Sequence, residues 1–230
     1  MKLFCFTYAG GTADFFNEIE GQLPEIKFVK IEYAGHGTRR KEPFYCSFAE
    51  LTNDMYRLLK EHLSSGEEYA LFGYSMGAIA ATELLRKIID ASEISLPAHV
   101  VLAAHEPHSK AELEDYSEAE LDEYVKERTI RFGGVPEILR NNKSFWRVYL
   151  PIYRADYSII SKYYFEKLSL KTNIPSTIFY SETDTPLIEM NKWTQFFQYD
   201  CRFYGFEGSH FFINEHSAEM AEILKERLLV

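Results

Sequence analysis

No run of apolar residues in this 230-residue chain approaches the stretch of about 18 that a membrane-spanning helix needs, so no membrane span is expected. Cysteine is scarce. Cys5, Cys46 and Cys201 are too few and odd in number for a disulfide framework, and they lack close metal-ligand spacing, which points to a reducing, cytoplasmic setting. Basic side chains are in deficit, 25 against 35 acidic, giving a formal charge of −10. A sequence-blind grip on nucleic acid would therefore have to come from a local patch, and nucleic acid is not expected as a partner. Repeats and low-complexity tracts are also missing. Met1 to Ala9 carries one lysine and a short apolar stretch, but Gly10-Gly11 and Asp14 follow without a cleavage pattern, so it reads as a first strand and not as a leader.

What is present is a chain that can bury a core: 46% of residues are hydrophobic and 26% charged. One domain spanning residues 1–230 is expected. Aromatic residues, at 16%, suffice to fill that core and to line an apolar pocket. The runs Leu3–Tyr8, Phe28–Tyr33, Tyr69–Gly73, His99–Ala104, Ser176–Tyr180 and Arg202–Phe206 are apolar throughout, the pattern of strands covered on both faces. Between them lie stretches of helical period, Ala13–Leu23, Phe48–His62, Gly77–Asp90, Glu189–Phe197 and Ser217–Leu228; Ser47 with Glu50 forms a capping box at the second. This alternation predicts an α/β fold with a mostly parallel sheet flanked by helices.

One stretch breaks the rhythm. From about Glu106 to Lys171 no strand-like run occurs, and helical pieces are punctuated by Gly133-Gly134, Pro136 and Pro151. Ser117 with Glu120 caps the first piece. A helical insertion over about residues 106–171 would be a lid over a site or a small subdomain. Its charge is divided: Glu112, Glu114, Asp115, Glu118, Glu120, Asp122 and Glu123 come first, then Lys126, Arg128, Arg131, Arg140, Lys143 and Arg147.

The strongest chemical signal is Gly73-Tyr74-Ser75-Met76-Gly77, which follows one predicted strand and opens a helix. Its glycines leave room for a sharp turn that lifts the Ser75 hydroxyl above the sheet edge. A serine needs a base, and the base a supporting acid, in the chain order serine, acid, histidine. Of seven histidines, His210 sits straight after the last strand at the same edge; His36, near the end of the second strand, reads as part of a turn or alternatively as a residue touching the pocket, and His216 as a helix-start residue. Asp184, in the loop after Ser176–Tyr180, is the candidate acid, with Glu106 at the end of the preceding strand as its rival. Asp200 comes before a strand, at the wrong edge. For a developing oxyanion the amide of Met76 is one candidate donor, and the turn after the first strand offers Ala9, or alternatively Gly10.

Taken together, Tyr8-Ala9-Gly10-Gly11, Tyr33-Ala34-Gly35-His36-Gly37 with Arg39, the Ser75 motif, Leu150-Pro151 with Arg154-Ala155-Asp156, Asp184 and Gly208-Ser209-His210-Phe211-Phe212 resemble the type II thioesterases, α/β-hydrolases that accompany non-ribosomal peptide and polyketide synthases. The resemblance spans nearly the whole chain. It departs from the family pattern at Thr7, Ala34 and Glu182, positions that bear on turn stiffness more than on chemistry. By this resemblance Ser75, Asp184 and His210 match the family's triad, and Ala9 and Met76 its oxyanion residues. The activity implied is hydrolysis of stalled acyl groups from the phosphopantetheine arm of carrier proteins, by a monomer needing no cofactor of its own. The partners would be acyl or peptidyl carrier domains of a synthase. A stand-alone esterase or acyltransferase would share the triad, whereas a non-catalytic receptor on this fold would have lost a member of it.

Overall fold

A computed structural model describes residues 1–107, 117–165, 168 and 170–229; Glu112, Glu114 and Asp115 of the acidic stretch lie outside the described residues. The six apolar runs form six strands: β1 (Lys2–Phe6), β2 (Lys27–Ile31), β3 (Tyr69–Tyr74), β4 (His99–Ala103), β5 (Ser176–Ser181) and β6 (Cys201–Phe206). They pair in parallel in the order β2-β1-β3-β4-β5-β6. Every residue of β1, β3 and β4 is buried, which is why these runs show no polar alternation, while the edge strand β6 carries exposed positions.

Among the described residues seven α-helices surround the sheet: α1 (Asn17–Gln22), α2 (Phe48–His62), α3 (Met76–Ala91), α4 (Glu118–Arg131), α5 (Lys143–Ile160), α6 (Leu187–Met190) and α7 (Ile213–Leu228). The period of two in each strand sorts the core into two layers. Phe4, Leu71 and Val100 face α2 and α3 through Leu51, Leu59, Leu84 and Leu85, whereas Leu3, Cys5, Phe72 and Val101 face α1 and α7 through Ile19, Met220 and Leu224. A fully buried leucine of this kind contributes roughly 2 kcal/mol by transfer from water.

The departures from the sequence reading are local. β1 ends at Phe6, two residues early, because Thr7 to Gly11 leave the sheet to form a turn above its carboxyl edge. The segments Ala13–Leu23 and Glu189–Phe197 each divide, a 3-10 turn joining a short α-helix. α7 starts at Ile213 and is kinked at His216 (φ −122°), four residues before the expected start. Pro151 does not punctuate the insertion; it lies inside α5, where it is exposed, and the carbonyl it leaves without an intrahelical partner is that of Arg147, itself an exposed residue. Asn142 caps α5 by accepting from the amides of Ser144 and Phe145, and Ser117 forms the expected capping box with Glu120. α4 and α5 share a small core of Val125, Val135, Trp146 and Tyr153.

Candidate active site

Close packing of backbone against backbone builds the turn between β3 and α3. A Cβ on Gly73 would lie 2.1 Å from the carbonyl oxygen of Gly77, and one on Gly77 only 1.9 Å from that of Phe6, so neither position admits a side chain. Ser75 between them takes φ 55°, ψ −117°, and its amide donates to the Ala103 carbonyl at 2.8 Å. The hydroxyl is thereby held above the carboxyl edge of the sheet at the head of α3.

Two later loops bring partners to it. His210 Nε2 lies 2.9 Å from Ser75 Oγ, and His210 Nδ1 lies 2.8 Å from Asp184 Oδ2. With the imidazole neutral and protonated on Nδ1, Nδ1–H donates to the carboxylate and the serine hydroxyl donates to Nε2, an arrangement able to draw the serine proton onto the ring. The loops are also tied to each other. The Ser181 and Thr183 hydroxyls both donate to the Gly208 carbonyl at 2.6 Å, and the Tyr74 hydroxyl donates to the His210 carbonyl at 2.7 Å. Asp184 and His210 are both largely shielded, their side chains 6% and 8% exposed. Glu106 lines the same cavity, but the carboxylate at Nδ1 is that of Asp184. Asp200 is occupied elsewhere, paired with Arg202 and Arg227.

Of the two amides considered in the first turn, Gly10 is engaged: its N–H donates to Asp156 Oδ2 at 2.7 Å. The amide of Ala9 bonds to no described residue, and Ala9, Met76 and Ser75 line one cavity of about 200 Å³ with Ala104, Tyr157 and Ile160. Met76 opens α3, where helix geometry leaves its N–H without an intrahelical partner. A carbonyl seated against Ser75 would thus meet two open donors.

Two contacts add to the sequence reading. Phe132, at the end of α4, stacks on the His210 ring with centroids 4.6 Å apart and planes 18° from parallel, and the Arg128 guanidinium covers it 4.8 Å from its centroid. His36 is no plain turn residue. It is 1% exposed, its Nε2 lies 3.0 Å from Asp156 Oδ2, and its Nδ1 lies 3.0 Å from the Ala34 carbonyl. Burial alone would strip its proton, but the hydrogen bond and charge of Asp156, the Ala34 carbonyl and the charge of Glu32 outweigh it, and its pKa ends above the usual histidine value. The signal available in the sequence was an acid, Asp156, amid the aromatic residues of α5.

A serine raised on a strand–turn–helix elbow of a parallel sheet, within reach of an acid and a histidine from later loops, defines the class of α/β-hydrolases. Comparison with known proteins narrows this. A family model described as the thioesterase domain matches residues 1–228, and the chain belongs to that family of thioester hydrolases. It is 26% identical over 232 residues to the gramicidin S biosynthesis protein GrsT of Aneurinibacillus migulanus, covering 99% of this chain and 89% of that one. ClbQ from the colibactin NRPS/PKS pathway superposes with a TM-score of 0.87 at 25% identity, over 99% of this chain and 96% of the other. The type II thioesterase BorB from the borrelidin biosynthetic cluster gives 0.82 at 26% identity, over 99% and 92%. No helix among the described residues is long and apolar enough to cross a membrane.

Proposed function

We propose that this thioesterase removes acyl groups from the phosphopantetheine arm of carrier-protein domains, the editing activity of synthase-associated type II enzymes, by an acyl-serine mechanism. The observation that carries the reading is the unbroken line from Ser75 through His210 to Asp184, at 2.9 and 2.8 Å, beside the open amides of Ala9 and Met76. Ser75 Oγ attacks the thioester carbonyl as His210 takes its proton, and the oxyanion accepts from Ala9 and Met76. The C–S bond then breaks, His210 protonates the departing thiol, and an acyl-serine remains. Water, deprotonated by the same imidazole, attacks that ester and releases the free acid with Ser75 regenerated. The arm arrives with the carrier, and the reaction as written draws on no further cofactor.

Two properties of the insertion support a carrier-bound substrate. α4 reaches over the site through Phe132, as a lid would. Arg140, Lys143 and Arg147 are exposed, make no ion pair among the described residues, and lie beside the exposed Ile138 and Val148, a basic and apolar surface suited to an acidic partner on an enzyme of charge −10. In this proposal the protein works as a cytoplasmic monomer. The test is mass spectrometry of an acyl-loaded carrier before and after exposure to the enzyme. Wild type should strip the acyl group, whereas Ser75→Ala should lose roughly 10⁴ to 10⁶ in turnover, because triad residues act as a unit. A Ser75→Ala variant retaining a tenth of wild-type rate would overturn the mechanism, and activity on soluble esters but not on carriers would make the protein a stand-alone esterase.

A further inference from the structure

The turn that offers Ala9 is a short, glycine-rich excursion from β1 with little to hold it from within. Its one internal bond is from the Gly11 amide to the Tyr8 carbonyl at 3.0 Å. The restraint comes from outside. On one side the Tyr33 hydroxyl donates to the Thr7 carbonyl at 3.0 Å. On the other, α5 packs so closely that a Cβ on Gly10 (φ 78°) would lie 2.0 Å from the Tyr153 ring, and one turn further along the helix the Asp156 carboxylate takes the Gly10 amide.

The same oxygen of Asp156 faces His36 Nε2, and Asp156 is 3% exposed. With a carbonyl at Nδ1 and a carboxylate oxygen at Nε2, the His36 ring satisfies both neighbours only when both nitrogens carry protons. Around this ring the charged groups are Asp156 from α5 and Glu32 from the loop after β2, with the Tyr33 and Phe44 rings edge-on at 5.7 and 6.2 Å. The result is a buried imidazolium–carboxylate pair joining three segments: the turn after β1, the loop after β2 and the insertion helix α5.

Resting on the acyl-enzyme reading above, we infer that His36 and Asp156 are positioning residues for the oxyanion site: by fixing the Gly10 amide onto Asp156, they turn the preceding peptide so that the Ala9 N–H stays directed at the carbonyl on Ser75. Neither touches the reacting atoms. Their effect falls on the tetrahedral state, where a donor displaced by a fraction of an ångström loses most of its value, and not on binding of the ground-state thioester. Complete loss of one oxyanion donor costs roughly 10²–10³ in kcat, which bounds the effect from above.

The experiment uses the full chain with three variants, Asp156→Ala, Asp156→Asn and His36→Asn, and two probes. One is an acyl-pantetheine trifluoromethyl ketone, whose adduct with Ser75 places an oxyanion between Ala9 and Met76; the other is the corresponding thioether, which binds without forming one. Asp156→Ala should lower kcat by about 10- to 100-fold and weaken the ketone by the same factor, with thioether affinity within threefold of wild type. Asp156→Asn keeps an acceptor for Gly10 and should recover most of the loss. Should the alanine variant fail to fold, the other two carry the test, since kcat and ketone affinity must fall in proportion in each variant that folds. Folded Asp156→Ala or His36→Asn that keeps wild-type kcat, or any folded variant that loses kcat with ketone affinity intact, would overturn the inference and leave the pair as an anchor for α5 alone. A ketone that binds wild type and Ser75→Ala equally would instead fault the acyl-serine mechanism.

Discussion

Replacing Asp184 by asparagine removes one charge while nearly preserving shape, and its cost follows from the contact at His210 Nδ1. In the proposed mechanism the ring becomes an imidazolium when Ser75 gives up its proton, facing a carboxylate oxygen 2.8 Å away in a pocket where both side chains are less than a tenth exposed. That contact puts the charge centres roughly 4 Å apart, where a unit pair at an effective dielectric of about 20 is worth about 4 kcal/mol. An asparagine that turns its NH₂ toward the ring would also demand the wrong tautomer, with Nε2 protonated and unable to accept from Ser75. Together these match the loss of roughly 10⁴ in turnover known for the corresponding change in serine proteases, or about 5.5 kcal/mol at 1.36 kcal/mol per decade. Thiol release from an acyl-pantetheine, followed before and during the steady state, measures it for acylation and deacylation separately, and both should fall because His210 serves both. Glu106→Gln, in the same cavity but away from Nδ1, should cost less than about tenfold. Reversed sizes for the two variants would refute the assignment and move the acid to the end of β4.

Reversing Arg140, Lys143 and Arg147 to Glu should raise KM for an acyl-carrier substrate about tenfold, flatten its salt dependence and leave a small acyl-pantetheine unaffected; equal losses on both would make the patch structural. If α4 and α5 form a lid, hydrogen exchange within them should slow when an acyl-phosphonate occupies Ser75, whereas unchanged protection along both helices would make them a rigid subdomain. Burial and then Arg227 push His99 down to about 4, against the partial opposition of Asp200. A histidine depressed on folding withdraws stability as pH falls from its unfolded value near 6.5 to about 4, in total roughly 3 kcal/mol, so thermal unfolding at pH 7 and pH 5 should differ less in His99→Asn than in wild type. An identical difference in both proteins would show that other groups govern the acid limb. His36, raised on folding, acts with the opposite sign: its contribution is fully present below its unfolded value and is lost as pH rises through its folded pKa.

All six strands were legible in the sequence because a strand buried on both faces writes its burial as an unbroken apolar run, as Leu3–Phe6 and His99–Ala103 do. The elbow was legible for a different reason. Gly73 and Gly77 are positions where a single extra carbon meets a carbonyl oxygen, so the spacing of two glycines about a serine is itself a record of geometry. The alignment of Ser75, Asp184 and His210 followed from topology, since loops leaving the carboxyl ends of parallel strands converge. What local pattern cannot hold is pairing across the chain. His36 and Asp156 are 120 residues apart, and nothing near either specifies that one carboxylate oxygen of Asp156 meets both the His36 ring and the Gly10 amide. Nor does anything near Phe132 specify that α4 ends with this ring stacked on His210. Pro151 was misleading because a proline inside a helix is tolerated or not according to its place on the folded surface, and here it lies exposed within α5.

The turn at Ser75 sets catalysis and folding against each other. A serine at φ 55°, ψ −117° occupies a conformation that L-residues avoid, at a cost on the order of 1–3 kcal/mol, a sizeable fraction of the net stability of an ordinary domain. Glycine would occupy the same angles without that strain. On the acyl-serine reading the chain therefore carries its nucleophile against its own thermodynamic preference, and packing of Gly73 on Gly77 and of Gly77 on Phe6 keeps the turn from relaxing. Replacing this one side chain by hydrogen would, on that reading, relieve the strain and remove the chemistry together.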